Sequence, residues 1–165
     1  MTAVQPTGAG PAVSPAQAEA LAWLRGETSL AALRGYTEAE LEALADLGYA
    51  LFRQGQDEPA RVVFEGLASL SGREYPLRAL GAIAVAGRRY DDAVAVLGAA
   101  ITRHPAGLAS RVLRAEALTA LGRYAEARAD LDWVVGAVAR DPEERALQRR
   151  AGVMRRRAVR PGAAR

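Results

Sequence analysis

The sequence predicts an all-α solenoid: three helical hairpins in a row, with an N-terminal helix before them and a C-terminal capping helix after. Three observations carry this. Half of the 165 residues are apolar (50%) but only 5% are aromatic, and alanine and leucine outnumber β-branched residues, a balance that favours helix over sheet. A pattern also recurs at a near-constant interval. Ala60, Ala93 and Ala127 follow one another at steps of 33 and 34 residues; twelve residues before them stand Gly48, Gly81 and Ala115, three before them Asp57, Tyr90 and Tyr124, and four after them Phe64, Leu97 and Leu131. Finally, Gly55, Gly87 and Gly122 interrupt each unit midway, which divides it into helix, turn and helix. A beat of this length marks stacked units, none of which buries its apolar face alone.

In chain order, residues 1–15 are rich in Pro, Gly, Ala and Thr, a composition that predicts disorder. Residues 16–36 form an N-terminal helical segment, with a helix over about 16–25 and a short one near 28–34 carrying Leu21, Leu24, Leu30 and Leu33. Residues 37–141 hold the three repeats, at about 41–72, 74–107 and 108–141. Thr37 and Glu40 have capping-box spacing ahead of the first. Asp57 is a candidate cap for the second helix of that repeat, with Pro59 in its first turn, and Pro105 falls where the second helix of repeat two stops. Asp141, Pro142 and Glu144 spell another helix start. The helix 142–158 that follows has an apolar stripe of Leu147, Ala151, Met154 and Ala158 with arginines on its other face, which suits a solenoid cap. A basic disordered tail, 159–165, closes the chain.

Several function classes are excluded or disfavoured. With no cysteine there is no disulfide and no thiolate ligand or nucleophile. The single histidine, His104, makes no multi-histidine metal site or Ser-His-Asp set; between Arg103 and Pro105 at a helix end it reads as a surface residue meeting terminal carbonyls. The glycines form no phosphate-binding or dinucleotide fingerprint. The pairs Asp91-Asp92 and Glu143-Glu144 sit at helix starts, where they answer the helix dipole. No apolar run approaches the ~20 residues of a membrane span, and the N-terminus lacks the basic and apolar regions of a secretory signal, so a cytoplasmic chain is expected. All 22 basic residues are arginine; nine of them, against three acids, lie between Arg140 and Arg165, a local charge of +6 that leaves −3 for the remainder of a chain whose total is +3. The expectation is a non-enzyme without cofactor, metal or small-molecule substrate, acting on another protein.

The repeat resembles the tetratricopeptide repeat, a unit of helix, turn and helix with small residues where its two helices approach. That resemblance implies a concave groove lined by the first helix of each repeat. Its peptide-binding positions fall on Glu42, Ala45, Tyr49 and Phe52 in repeat one, on Tyr75, Arg78, Ala82 and Val85 in repeat two, and on Ala109, Val112, Glu116 and Thr119 in repeat three. Relatives that grip acidic C-termini line these places with Lys, Arg and Asn, whereas only Arg78 is cationic here. Aromatic rings among small side chains suit an extended peptide with spaced apolar residues, each well-buried anchor contributing roughly 1.5–3 kcal/mol. A competing use of Tyr49 and Phe52 is to pack on the N-terminal helix.

The segment "LRGETSLAALRGYTEAELEAL", placed before three repeats and a final helix, is similar to the class II chaperones of type III secretion, the SycD/LcrH type. The likeness spans about residues 20–158. It implies a cytoplasmic chaperone that holds an extended apolar segment of a secreted translocator client in its groove, with a possible homodimer through the N-terminal helix and no membrane partner. Tyr49 and Phe52 match aromatic places of that family, Ala45 stands where an aromatic is common, and the Arg-rich C-terminus is more basic than the family's. The residues alone also admit a general tetratricopeptide adaptor for another complex, and a regulator that sets the Arg-rich tail on nucleic acid, although no aromatics interleave with those arginines for base stacking.

Overall fold

Every repeat turns the same corner. In a computed structural model, which describes residues 14–158, nine helices follow one another among the described residues: α1 Pro15–Leu24, α2 Leu30–Leu33, α3 Glu38–Arg53, α4 Asp57–Ser71, α5 Glu74–Ala86, α6 Tyr90–Arg103, α7 Leu108–Ala120, α8 Tyr124–Gly136 and α9 Pro142–Ala158. The pairs α3–α4, α5–α6 and α7–α8 are the three hairpins, and each hairpin packs on the next. At their turns the backbone N–H groups of Gln56, Arg89 and Arg123 donate to the carbonyls of Leu51, Ala84 and Leu118 at 3.0, 2.8 and 2.8 Å. This is the bond that closes a helix through a left-handed residue. The segments expected to be disordered lie outside the described residues, apart from Ser14 and Pro15.

The turn needs one residue at positive φ. In repeats one and three that residue is Gly55 (φ 74) or Gly122 (φ 75), but in repeat two it is Arg88 (φ 56), because the glycine stands one place early at Gly87, whose φ is −77. A side chain in this region costs roughly 1–2 kcal/mol. Arg88→Gly is therefore expected to raise stability by about 1 kcal/mol, part of the gain being offset by the freer unfolded chain, read as a higher urea midpoint at an unchanged slope.

Helix starts follow two plans. Thr37 and Glu40 form the full capping box: the Thr37 backbone N–H donates to Glu40 Oε2 at 2.8 Å, and the Glu40 N–H donates to Thr37 Oγ1 at 3.3 Å. At α9 the Glu144 N–H donates to Asp141 Oδ1 at 2.8 Å. The cap expected at Asp57 is corrected: Gln56 occupies that place, its side chain donating to Gln54 Oε1 rather than capping the helix, and Asp57 is the first helical residue. Arg89 and Arg123 hold the same place before α6 and α8 with nearly the same backbone angles.

The spacing of small residues sets the packing inside each hairpin. A Cβ added to Gly48 would sit 2.8 Å from Phe64 Cζ, and one added to Gly81 would sit 2.4 Å from two carbons of Leu97. Ala60, Ala93 and Ala127 are fully buried, as are Leu97 and Leu131, with Phe64 1% exposed. Apolar burial gathers in three clusters. One holds Phe64 and Leu67 of repeat one with Ala31 of α2. The second lies within repeat two and takes in Ala117. The third joins repeat three to α9 through Ala151, with Leu147 and Met154 packed against it. By contrast, α1 packs extensively on no other helix, and its Leu21, Trp23 and Leu24 are exposed.

His104 does meet a terminal carbonyl, though that of the preceding repeat: its Nε2–H donates to the carbonyl of Gly72, the residue that ends α4, at 3.1 Å. A second link holds repeat three internally. Asp130, 3% exposed, accepts from Arg114 Nε and Nη2, both at 2.7 Å, and lies 3.4 Å from Arg111 Nη1. The Arg111 guanidinium in turn lies 4.0 Å from the centre of the Trp133 ring.

Candidate functional site

Two cavities, one repeat apart, open beside the first helices. The first, of about 380 Å³, is lined by Glu42 and Ala45 of α3 and by Tyr75 of α5, together with Leu41, Asp46, Leu67, Ser71, Arg73 and Pro76. Three of the twelve groove positions therefore share one wall. Leu41 and Pro76 had not been singled out from the sequence, although apolar residues at the start of successive first helices were the available signal. The second cavity, of about 280 Å³, takes Arg78 and Ala109 together with Glu74 and Leu108. It is closed on its far side by Arg140, Asp141, Glu143, Glu144 and Leu147 of α9 and its approach. The two differ in character, the first having an apolar floor and the second an ionic rim.

Tyr75 ties the first cavity to the core. Its ring meets Phe64 edge-to-face, with centroids 5.8 Å apart and planes at 78°, and the Arg78 guanidinium lies 5.5 Å from its centre. Burial, opposed by Arg78 and supported by nearby Asp46 and Tyr49, pushes its phenol above the usual range. The hydroxyl stays protonated at neutral pH as a donor for a bound chain. Arg78 itself leans on Glu74 at 3.4 Å, and Glu74 accepts from the buried hydroxyl of Ser110.

Tyr49 is 52% exposed, with Arg53 5.9 Å from its ring centre. Phe52 is half-buried and backs onto the cluster that contains Phe64 and Ala31. Ala82, Val85, Ala109, Glu116 and Thr119 are partly exposed, and Glu42 is exposed. Val112 is corrected: it is fully buried in the cluster that joins repeat three to α9, so it supports the wall from behind and offers nothing to a ligand. Helix α9 carries the row of first helices one step further. Arg150 pairs with Glu116 at 2.6 Å, 34 residues away, and exposed Val153 lies one turn beyond. Among the described residues no group of three or more His, Cys, Asp or Glu is placed to hold a metal ion, and no helix is long and apolar enough to cross a membrane. Aromatic faces, shallow apolar floors and a few charges can bind a chain.

Hairpins of this pitch, closed by small residues, form a tetratricopeptide-like solenoid, and a family model for the tetratricopeptide repeat matches residues 84–151. The chain resembles the class II translocator chaperones of type III secretion. It is 26% identical to the type III secretion translocator chaperone SycD of Yersinia enterocolitica, covering 79% of this chain and 98% of that one with a TM-score of 0.75. PcrH from Pseudomonas aeruginosa is also 26% identical, over 79% of this chain and 100% of that one, with a TM-score of 0.72. SycD in complex with a peptide of the translocator YopD matches at 26% identity, over 74% of this chain and 94% of that one, with a TM-score of 0.68. A comparison with curated proteins gives no match.

Proposed function

We propose that this chain is a non-catalytic chaperone of type III secretion, which holds an extended apolar segment of a translocator-type client in its concave groove. The observation that carries the reading is the open trough of repeats one and two: a half-exposed Tyr49 and a cavity of about 380 Å³ walled by Ala45, Tyr75, Leu41 and Pro76. A segment bound for a membrane is aggregation-prone in water, and masking it needs apolar contact without chemistry. The likeness to a SycD structure that contains a translocator peptide supports the same reading. A cytoplasmic location fits a client held before export, and the exposed Leu21, Trp23 and Leu24 of α1 fit association with a second copy.

Tyr49→Ala tests the trough without touching the core. An anchor of this size contributes about 1.5–3 kcal/mol, so the affinity for a synthetic client segment, read by fluorescence anisotropy, should drop about tenfold or more. Helical content should stay the same, and Tyr124→Ala, at an exposed ring of α8, should bind as the parent does. Equal affinity for Tyr49→Ala and the parent would remove the trough from the binding surface.

A further inference from the structure

In each hairpin one face of the first helix receives the second helix. That face is Leu44, Gly48 and Leu51 in α3, which meets Phe64. In α5 it includes Gly81 and Ala84, which meet Leu97, and in α7 Arg111, Ala115 and Leu118, which meet Asp130 and Leu131. α9 continues the series, because it packs on both α7 and α8 as α7 packs on both α5 and α6. Ile83 of α5, Ala117 of α7 and Ala151 of α9 each enter the apolar cluster of the preceding repeat, at steps of 34 residues. At that step, the face of α9 where a second helix would lie consists of Arg145, Arg149, Gly152 and Arg156. No further helix follows it among the described residues.

Three nearby arginines are engaged at home: Arg140, just ahead of α9, with Glu144, Arg150 with Glu116 and Arg155 with Asp132, whereas Arg157, off this face, is exposed. Arg145, Arg149 and Arg156 are exposed and make no ion pair among the described residues. They fall on one side of the helix along about 17 Å of its axis, where like charges one turn apart repel. Gly152 sits among them in mid-helix, a place where glycine is unfavourable. No neighbour requires it: an added Cβ would meet only Arg156 Nη1, at 4.0 Å. In α3 and α5 the glycine that admits the large side chain of the opposing helix stands three residues earlier in the step, at the place of Arg149, so in α9 the open place on this face is Gly152 instead.

We propose that this face of α9 is a docking site for an acidic helix of a partner protein, seated where a fourth hairpin would have its second helix. One large apolar side chain of the partner lies over Gly152. Carboxylates about one turn to either side of it meet Arg149 and Arg156 in charge-assisted pairs, with Arg145 extending the row. The face is unpartnered among the described residues, and the arginine spacing follows a helix repeat. No exposed aromatic stands among the arginines, as base stacking on a nucleic acid strand would require.

The test uses the full chain and two labelled synthetic peptides of one composition, followed by fluorescence anisotropy. One is helical, with a leucine flanked by glutamates one turn away; the other is scrambled. The helical peptide should bind at least about tenfold tighter than the scramble, and Arg149→Glu with Arg156→Glu should abolish that preference. Gly152→Leu keeps every charge and fits the free chain, and it should weaken binding about as much by filling the gap. Tyr49→Ala should leave this binding unchanged, which separates it from the groove. Equal binding of the two peptides, indifference to Gly152→Leu, tighter binding of duplex DNA or anionic vesicles at the same salt, or no binding at all would each overturn the proposal.

Discussion

Phe64→Ala is expected to destabilise the protein by about 3–5 kcal/mol, the range for truncating a buried phenylalanine. Phe64 is 1% exposed, and it fills the space that Gly48 leaves by lacking a Cβ. Removing its ring opens a cavity between α3 and α4 and deletes the edge-to-face contact with Tyr75. Domains of this size hold about 5–15 kcal/mol in all, so the loss is a large fraction, and melting should fall by about 6–20 °C. Because each hairpin touches only its neighbours, hydrogen exchange should quicken in α3 and α4 before it does in α7 and α8. The effect reaches the groove as well, since Tyr75 loses the partner that holds its ring at the cavity wall. A melting temperature within a degree or two of the parent would show that the packing register is wrong.

Asp130→Asn is expected to cost about 3–5 kcal/mol, the usual range for removing one member of a buried ion pair. The Asp130 side chain is 4% exposed and serves both Arg114 and Arg111, whose side chains are 26% and 14% exposed. Asparagine keeps the shape, but it offers a neutral amide where two guanidinium groups expect a carboxylate. Arg114 recovers some hydration through its exposed quarter, which places the expected loss near the lower end of the range. Arg111 has less room to adjust, between Trp133 and the Pro105 carbonyl, to which it donates at 3.2 Å. Chemical denaturation of the two proteins, with the urea slope unchanged, measures the difference. A loss below about 1 kcal/mol would mean that the cluster is no more than a surface pair.

What the sequence made legible was steric. Gly48, Gly81 and Ala115, set against Phe64, Leu97 and Leu131, announce close helix pairs because no larger residue fits. Thr37 and Glu40 announce a helix start because their bonds are local. Features that depend on neighbours were hidden. Arg88 carries the left-handed turn that the glycine beside it appeared to mark. Val112 has a groove position by count, but it is buried in the cluster that α7 shares with α8 and α9. Arg111, Arg114 and Asp130 look like ordinary surface residues of two helices until those helices are brought together. Of the groove, the aromatic of α3 and the small residue behind it were readable, whereas Leu41 and Pro76 became wall residues only once α3 and α5 stood side by side. The arginines of α9 were visible as a crowded face. That this face is the vacant side of a fourth first-helix follows from the packing alone.

The three apolar clusters bridge the joints of the solenoid: Ile83 of α5 enters the first, Ala117 of α7 the second and Ala151 of α9 the third. Any widening of the trough is therefore resisted at every joint and shared among them. A pull applied at one end reaches the other only by passing through every joint in turn.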